Sequence, residues 1–268
     1  MNFRDDDLTH YAEHGAPPLP PATREIRVEH AGAWIWCGTY GEGAPVILLH
    51  GAFNQSGDWG HQVPALVEAG YCVIAIDNRG RGRSTLGDQP LSYALMADEV
   101  LAVMDALGLR KAAMVGWSDG SIVALTLAMA HPERVTGVFA FGTVMHLDGL
   151  KVLDPEDPLL PRVFDRVKRD HACVSPEAER FEEIARAVDR MTSTQPTYGD
   201  GALAAIHVPV AIVASERDEF VTDSHVDYLV RVIPGAERIA LPEVSHFALL
   251  QRPEAFNRAM LAFLGELG

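Results

Sequence analysis

The stretch Lys111-Ala-Ala-Met-Val-Gly-Trp-Ser-Asp-Gly-Ser-Ile-Val-Ala-Leu-Thr-Leu-Ala-Met-Ala130 decides the fold. Its first five residues are a short, mostly apolar run ending in β-branched Val115, which suits a strand buried on both faces. Ile122–Ala130 is almost wholly apolar and helical in character, ending before His131-Pro132. Between them lies Gly116-Trp-Ser-Asp-Gly120, a G-x-S-x-G match. Strand, tight turn and helix in that order are the setting of a nucleophile elbow. Such a turn forces its serine into a strained backbone conformation. Glycines two residues before and two after keep side chains from colliding there. The Ser118 hydroxyl is then presented at the carboxyl edge of the sheet, where open α/β sheets bind ligands.

Outward from this stretch the chain alternates. Glu25–Gly41 reads as a hairpin turning at Ala31-Gly32-Ala33. Pro45–Leu49, Tyr71–Ile76, Val135–Phe141 and Val208–Ala214 are further apolar runs, and Glu237–Leu241 is the expected last strand. Met96, Val100, Val103, Met104 and Leu107 recur at helical spacing, with Ser92 as N-cap and Gly108 at the stop. Phe256, Met260, Phe263, Leu264 and Leu267 form another stripe, opened by Pro253. Alternating strands and helices predict an α/β fold, with a mainly parallel sheet covered by helices on both faces.

Two segments break the alternation. Residues 1–24 read as an N-terminal arm, because Gly15–Pro21 holds four prolines and sustains neither a helix nor a central strand. Between His146 and Val208 lie about 60 residues, rich in charge, with one helical stretch over Pro176–Met191 and no buried strand. The expected division is therefore arm 1–24, core 25–146 and 206–268, and an inserted helical cap 147–205 over the carboxyl edge of the sheet.

The 268 residues carry a net charge of −15. No run is basic, which argues against nucleic acid and against docking to anionic membranes. No stretch approaches the length of apolar sequence needed to span a membrane. The acidic start, MNFRDDDLTH, does not read as a secretory signal. Cys37, Cys72 and Cys173 are too widely spaced for a disulfide framework or a metal site. A cytoplasmic protein acting on a small molecule is expected.

A serine hydroxyl needs a base. Of the eleven histidines, His246 is the candidate, since it sits in a loop just after the expected last strand. His50 also ends a strand, but His-Gly at such a place more often shapes the backbone. The imidazole needs an acid to orient it. Asp218 lies just past the strand that ends near Ala214 and completes the chain order Ser, Asp, His; Asp148, after the preceding strand, is the alternative. Two donors are needed for the oxyanion. The backbone N–H of Asp119 is one. Ala52, in the loop after Leu49, is the other, with Phe53 the second choice.

These residues resemble the α/β-hydrolase superfamily. His50-Gly51 with Trp59 resembles its oxyanion block. Asp77-Asn-Arg-Gly-Arg-Gly-Arg-Ser84 resembles its D-x-R-G-x-G-x-S block. Ser215–Asp218 resembles the G-x-x-D acid turn and Ser245-His246-Phe247 the G-H-F histidine block, each with Ser in place of Gly. The resemblance implies that Asp77 and Arg79 shape a turn and do not catalyse. It sets aside haloalkane dehalogenases and epoxide hydrolases, which use Asp where Ser118 stands. It also sets aside the carbon–carbon hydrolases with H-G-x-G-P-G. The Gly-Trp-Ser-Asp-Gly elbow is similar to the valacyclovirase-like branch, in which the acid after the serine is implicated in reading a substrate amino group. Here Ser121 replaces the usual second glycine.

The resulting expectation is a serine hydrolase of carboxylic esters or related acyl compounds, needing no cofactor and no metal. Phe53, Trp117, Phe164, Phe181 and Met191 are the candidate pocket residues, with Leu159, Leu160 and Val163 beside them; apolar residues of a cap also pack the cap itself. Lactone or amide hydrolysis, perhydrolysis, lyase chemistry and a hydrolase-derived ligand receptor stay open as alternatives.

Overall fold

The computed structural model describes residues 6–154 and 156–267; residues 1–5 of the expected arm, residue 155 of the expected cap and residue 268 lie outside them. One sheet contains eight strands: β1 (Arg24–His30), β2 (Ala33–Tyr40), β3 (Ala44–Leu49), β4 (Tyr71–Ile76), β5 (Ala112–Trp117), β6 (Val135–Phe141), β7 (Val210–Ser215) and β8 (Glu237–Leu241). Their spatial order is β1-β2-β4-β3-β5-β6-β7-β8. Pairing is antiparallel from β1 to β2 and from β2 to β4, and parallel from β4 onward. The β1–β2 hairpin turns through Ala31 and Gly32, both with positive φ, and the Gly32 N–H donates to Glu29 Oε1 at 2.9 Å.

The helices are α1 (Asp6–His14), α2 (Gln62–Glu68), α3 (Tyr93–Ala106), α4 (Asp119–Ala130), α5 (Leu160–Val174), α6 (Phe181–Thr192), α7 (Asp200–Leu203), α8 (Asp223–Val232), α9 (Ala248–Gln251) and α10 (Pro253–Glu266). None is long and apolar enough to cross a membrane among the described residues. The central strands alternate their side chains between two cores. Ile47, Leu49, Met114, Val138, Ala140 and Ile212 face one, with α3, α4 and α8. Val46, Leu48, Val115, Phe139, Phe141 and Val213 face the other, with α2, α9 and α10. This is the period-2 consequence of strand geometry. Helix α4 is buried from Asp119 to Ala128, which explains why it is apolar all round and shows no amphipathic stripe.

The block after β4 does structural work. Asp77 accepts from the Ser56 N–H at 2.7 Å and the Arg83 N–H at 2.8 Å. Ser84 Oγ donates to Asp77 O at 2.6 Å and accepts from the Trp36 N–H at 2.8 Å. The Arg79 guanidinium is fully buried, pairs with Glu99 of α3, and donates to the carbonyls of His30 and Leu86 at 2.8 and 3.1 Å. These bonds tie the hairpin, the loop after β4 and α3 into one unit.

Two expectations change. The arm contains a helix, α1, which buries Leu8, Tyr11 and Ala12. Three apolar positions over one turn are too short a stripe to stand out in sequence, and a helix this short forms only when docked. The proline segment after it has neither helix nor strand from Gly15 to Ala22. Between β6 and β7 there are two long helices, where the sequence showed one. The second, α6, begins within the expected stretch Pro176–Met191 and ends one residue past it. The first, α5, was missed because its charged residues outnumber a narrow buried stripe of Leu160, Val163, Val167 and His171.

Glu99→Ala is expected to leave the buried Arg79 guanidinium without its countercharge and to cost about 3–5 kcal/mol of stability. Urea denaturation followed by fluorescence measures it.

Candidate active site

The β5–α4 turn holds Ser118 at φ +53° and ψ −121°, a conformation that costs a non-glycine residue of the order of 1–3 kcal/mol. Its surroundings enforce it. A Cβ on Gly116 would lie 2.4 Å from Ser121 Cα, and one on Gly120 would lie 2.0 Å from Leu49 O. Glycine at 116 lets the turn close on itself, and glycine at 120 lets it press against the end of β3. The Ser118 N–H donates to Phe141 O at 2.8 Å, and its carbonyl accepts from the Ser121 N–H at 2.8 Å and from Ser121 Oγ at 2.5 Å. The serine that replaces the family glycine therefore adds a bond to the turn.

The loop after β8 brings His246 to the same edge. Its Nδ1 lies 2.9 Å and 3.0 Å from the two carboxylate oxygens of Asp218. Asp218 also accepts from the N–H groups of Phe220 and Val221, both at 2.9 Å, and from Ser215 Oγ at 3.1 Å. Here too a serine in place of glycine supplies a bond. Burial works to raise the Asp218 carboxyl, but the His246 charge and these hydrogen bonds carry it below the usual carboxylate value. Burial in turn works to lower His246. Asp218, by charge and hydrogen bond, together with Glu219 and Asp119, carries it above the ordinary imidazole value of 6.5. Glu219 accepts from the His246 N–H at 2.9 Å. Asp148 lies elsewhere, exposed, beside His146 at 3.2 Å.

The imidazole has little room to turn. Phe220 packs on it at 4.6 Å between centroids and Phe141 at 6.1 Å, and Trp117 Nε1 donates to His246 O at 2.8 Å. Gly142, at φ +61°, leaves space for the ring: a Cβ there would lie 2.6 Å from His246 Cε1. Ser245, the third serine in a glycine position, bonds Gln251 Oε1 through both N–H and Oγ, at 2.8 and 2.9 Å.

The loop after β3 completes the edge. A Cβ on Gly51 would be 3.5 Å from Ser118 Cβ, so this loop abuts the serine. His50 is buried, and burial beside Arg81 lowers it to about 4, so the ring is neutral. Its Nε2 accepts from the Asn78 N–H at 3.0 Å, so Nδ1 carries the proton and donates to Gly51 O at 2.7 Å. The Asn54 N–H reaches the same carbonyl at 3.2 Å. In a trans peptide the C=O and the following N–H point opposite ways. Pinning Gly51 O therefore fixes the direction of the Ala52 N–H.

Ser118, His246, Ala52, Phe53, Asp119, Trp117, Val163 and Phe164 all line one cavity of about 340 Å³. Phe181 and Met191 do not. Met191 lies with Ile184 and Val188 on the face of α6 that packs into the core, and is 2% exposed. Phe181 packs on His171 and Lys168 of α5 at 5.2 Å from each, holding the two helices together. Leu160 packs with the core instead of lining the cavity. Asn54, Tyr93, Val144, Lys151 and Phe220 also line it and were not singled out from sequence. Asn54 follows the His-Gly signal closely enough to have been found. Tyr93 had no signal. Its hydroxyl donates to Asp119 Oδ1 at 2.9 Å, while Asp119 Oδ2 has no partner among the described residues. Burial raises the Asp119 carboxyl, and the charge of Arg81 opposes that rise.

A model of the alpha/beta hydrolase fold matches residues 44–174. A putative carbamate hydrolase, RutD, of Caulobacter vibrioides is 31% identical over 250 residues, 83% of this chain and 91% of that one. The chain belongs to the α/β-hydrolase superfamily. Another relative of this hydrolase is the 2-hydroxy-6-oxononadienedioate/2-hydroxy-6-oxononatrienedioate hydrolase of Comamonas testosteroni, 28% identical and covering 84% of this chain and 88% of that one. Among solved structures, Est816, described as an N-acyl homoserine lactone degrading enzyme, superimposes with a TM-score of 0.72 at 28% identity, over 89% of this chain and all of the other. The α/β-hydrolase fold and hydrolase activity follow from these likenesses.

The stability that His246 gains from Asp218 is fully present below pH 6.5 and fades as pH rises through the raised folded-state value. Titration of the His246 ring by NMR is expected to give a pKa above 6.5 in the wild type and a lower one in Asp218→Asn.

Proposed function

We propose that this hydrolase cleaves carboxylic esters or related acyl compounds through an acyl-enzyme on Ser118. The observation that carries the reading is a strained, positive-φ serine that lines one cavity with His246, whose ring is bonded to the buried Asp218. Ser118 Oγ attacks the carbonyl carbon. His246 takes the proton and returns it to the leaving alkoxide, and Asp218 holds the ring and stabilises the imidazolium. The N–H groups of Asp119 and Ala52 receive the oxyanion, and the N-terminus of α4 adds its positive end. Water activated by His246 then releases the acyl group. The helices of residues 147–205 act as a cap, and Val163 and Phe164 of α5 give the acyl chain an apolar wall. The lactone degradation described for Est816 supports ester-type chemistry, since a lactone is a cyclic ester. RutD's name supports acyl chemistry on a related carbonyl.

The unpartnered Oδ2 of Asp119 supports a second reading, in which the cavity favours esters that carry an α-amino group. Glycyl and acetyl esters of one alcohol separate the two: preference for the glycyl ester supports the second reading, and equal turnover removes it.

Labelling with a fluorophosphonate is expected for the wild type and not for Ser118→Ala, with p-nitrophenyl ester turnover falling by roughly 10³-fold or more. Because the base works only when neutral, kcat/KM is expected to rise with pH and to level off above the His246 value, itself above 6.5. Correctly folded wild type that takes no label would sink the serine reading.

A further inference from the structure

We propose that Tyr11, on the N-terminal helix, is a positioning residue for the oxyanion turn, acting through Asp58 and Asn54. The inference rests on the serine-hydrolase reading above. Tyr11 is 2% exposed, and its hydroxyl donates to Asp58 Oδ1 at 2.9 Å. Asp58 is 3% exposed, and its Oδ2 accepts from Asn54 Nδ2 at 3.0 Å and from the Gln55 N–H at 3.2 Å. Asn54 is the last residue of the turn that contains Ala52. Its N–H closes on Gly51 O, and its Oδ1 lies where a Cβ on Gly51 would come within 3.2 Å. A continuous hydrogen-bonded path therefore runs from α1, 47 residues before Asp58 in the chain, to the peptide whose N–H faces the oxyanion.

The path is electrostatically taut. A buried carboxylate is held as an anion only by the donors around it. Burial raises Asp58 to about 6 even with Asn54, Gln55 and Tyr11 donating to it. The charge of Asp170 on α5 raises it further, and Arg166 of the same helix acts on Tyr11 in the opposite sense to Asp58. Without the Tyr11 hydroxyl, the carboxyl takes a proton at a higher pH. A protonated Asp58 is a poorer acceptor for Asn54, and the turn loses its hold. Helix α1 is itself fastened at its C-terminal end, where Arg169 and Arg166 of α5 donate to the carbonyls of Ala12 and Glu13 at 2.9 and 3.3 Å. Tyr11 is thus held by burial in the core and by the fastening of its helix to α5.

The test compares wild type, Tyr11→Phe and Glu13→Gln, the last of which alters only an exposed ion pair of the same helix with Arg162. With a p-nitrophenyl ester, Tyr11→Phe is expected to lower kcat roughly 5–20-fold with KM within about twofold, as loss of an interaction made in the transition state requires. Glu13→Gln is expected to match wild type. In ¹⁵N-labelled protein, the amide signals of Ala52 and Phe53 are expected to move in Tyr11→Phe and not in Glu13→Gln. Should Tyr11→Phe not fold, Asp58→Asn interrupts the same path and is read the same way. Coincident amide signals would overturn the proposal whatever kcat does, and moved signals with unchanged kcat would overturn its catalytic part. If wild type itself neither labels nor turns over an ester, the serine reading fails, while the amide signals still decide whether Tyr11 governs the turn.

Discussion

A close backbone approach in the centre of the sheet governs the rest of the site. The turn between β5 and α4 lies so near the end of β3 that a single methyl group on Gly120 would overlap the Leu49 carbonyl. That proximity holds Ser118 at positive φ and puts its side chain beside Gly51. Because β3, β5, β6, β7 and β8 run parallel, their carboxyl ends share one edge of the sheet. His50, Ser118, Gly142, Asp218 and His246 follow those strands and meet there for the same reason. Strand order, and not nearness in the chain, assembles the site.

Most of the architecture was legible because its signals are local. The apolar runs of the central strands are continuous, so they stand out without an alignment. The Gly116–Gly120 turn could be read because its strand and helix flank it directly. Asp218 and His246 were legible from where they follow strands and from the family resemblance, and the structure brings their side chains together. What escaped was long-range. Tyr93 belongs to the site only through the crossing of α3 over α4. Gly142 matters only because a ring from more than a hundred residues later passes above it. Phe181 and Met191 were expected at the cavity, but amphipathic spacing does not say which neighbour a stripe faces. Helix α6 turns that stripe to the core and uses Phe181 to hold α5.

Three serines stand where the family resemblance leads one to expect glycine, and each contributes a hydrogen bond close to Ser118, Asp218 or His246. Ser121 bonds the carbonyl of Ser118, Ser215 bonds the carboxylate of Asp218, and Ser245 anchors the His246 loop to Gln251. Glycine at these places gives freedom of backbone. Serine gives up that freedom and supplies a donor or acceptor within a turn. The site is therefore held by side-chain bonds at three points where a glycine would leave only backbone ones. In a low-dielectric setting such bonds also steady the electrostatics of the His–Asp pair.

The segment between β6 and β7 is tied to the core at its start and again farther along. Its first residues pair with the acid loop: Leu150 bridges to Val221, the Lys151 N–H donates to Phe220 O at 2.8 Å, and Lys151 Nζ reaches Asp218 O at 2.7 Å. Farther along, Thr197, before α7, bridges back to His146. The first of these ties lies on the loop that carries Asp218. Leu150 and Lys151 line the cavity and at the same time bond the loop that carries Asp218, so a change at this margin reaches the cavity wall and the carboxylate together.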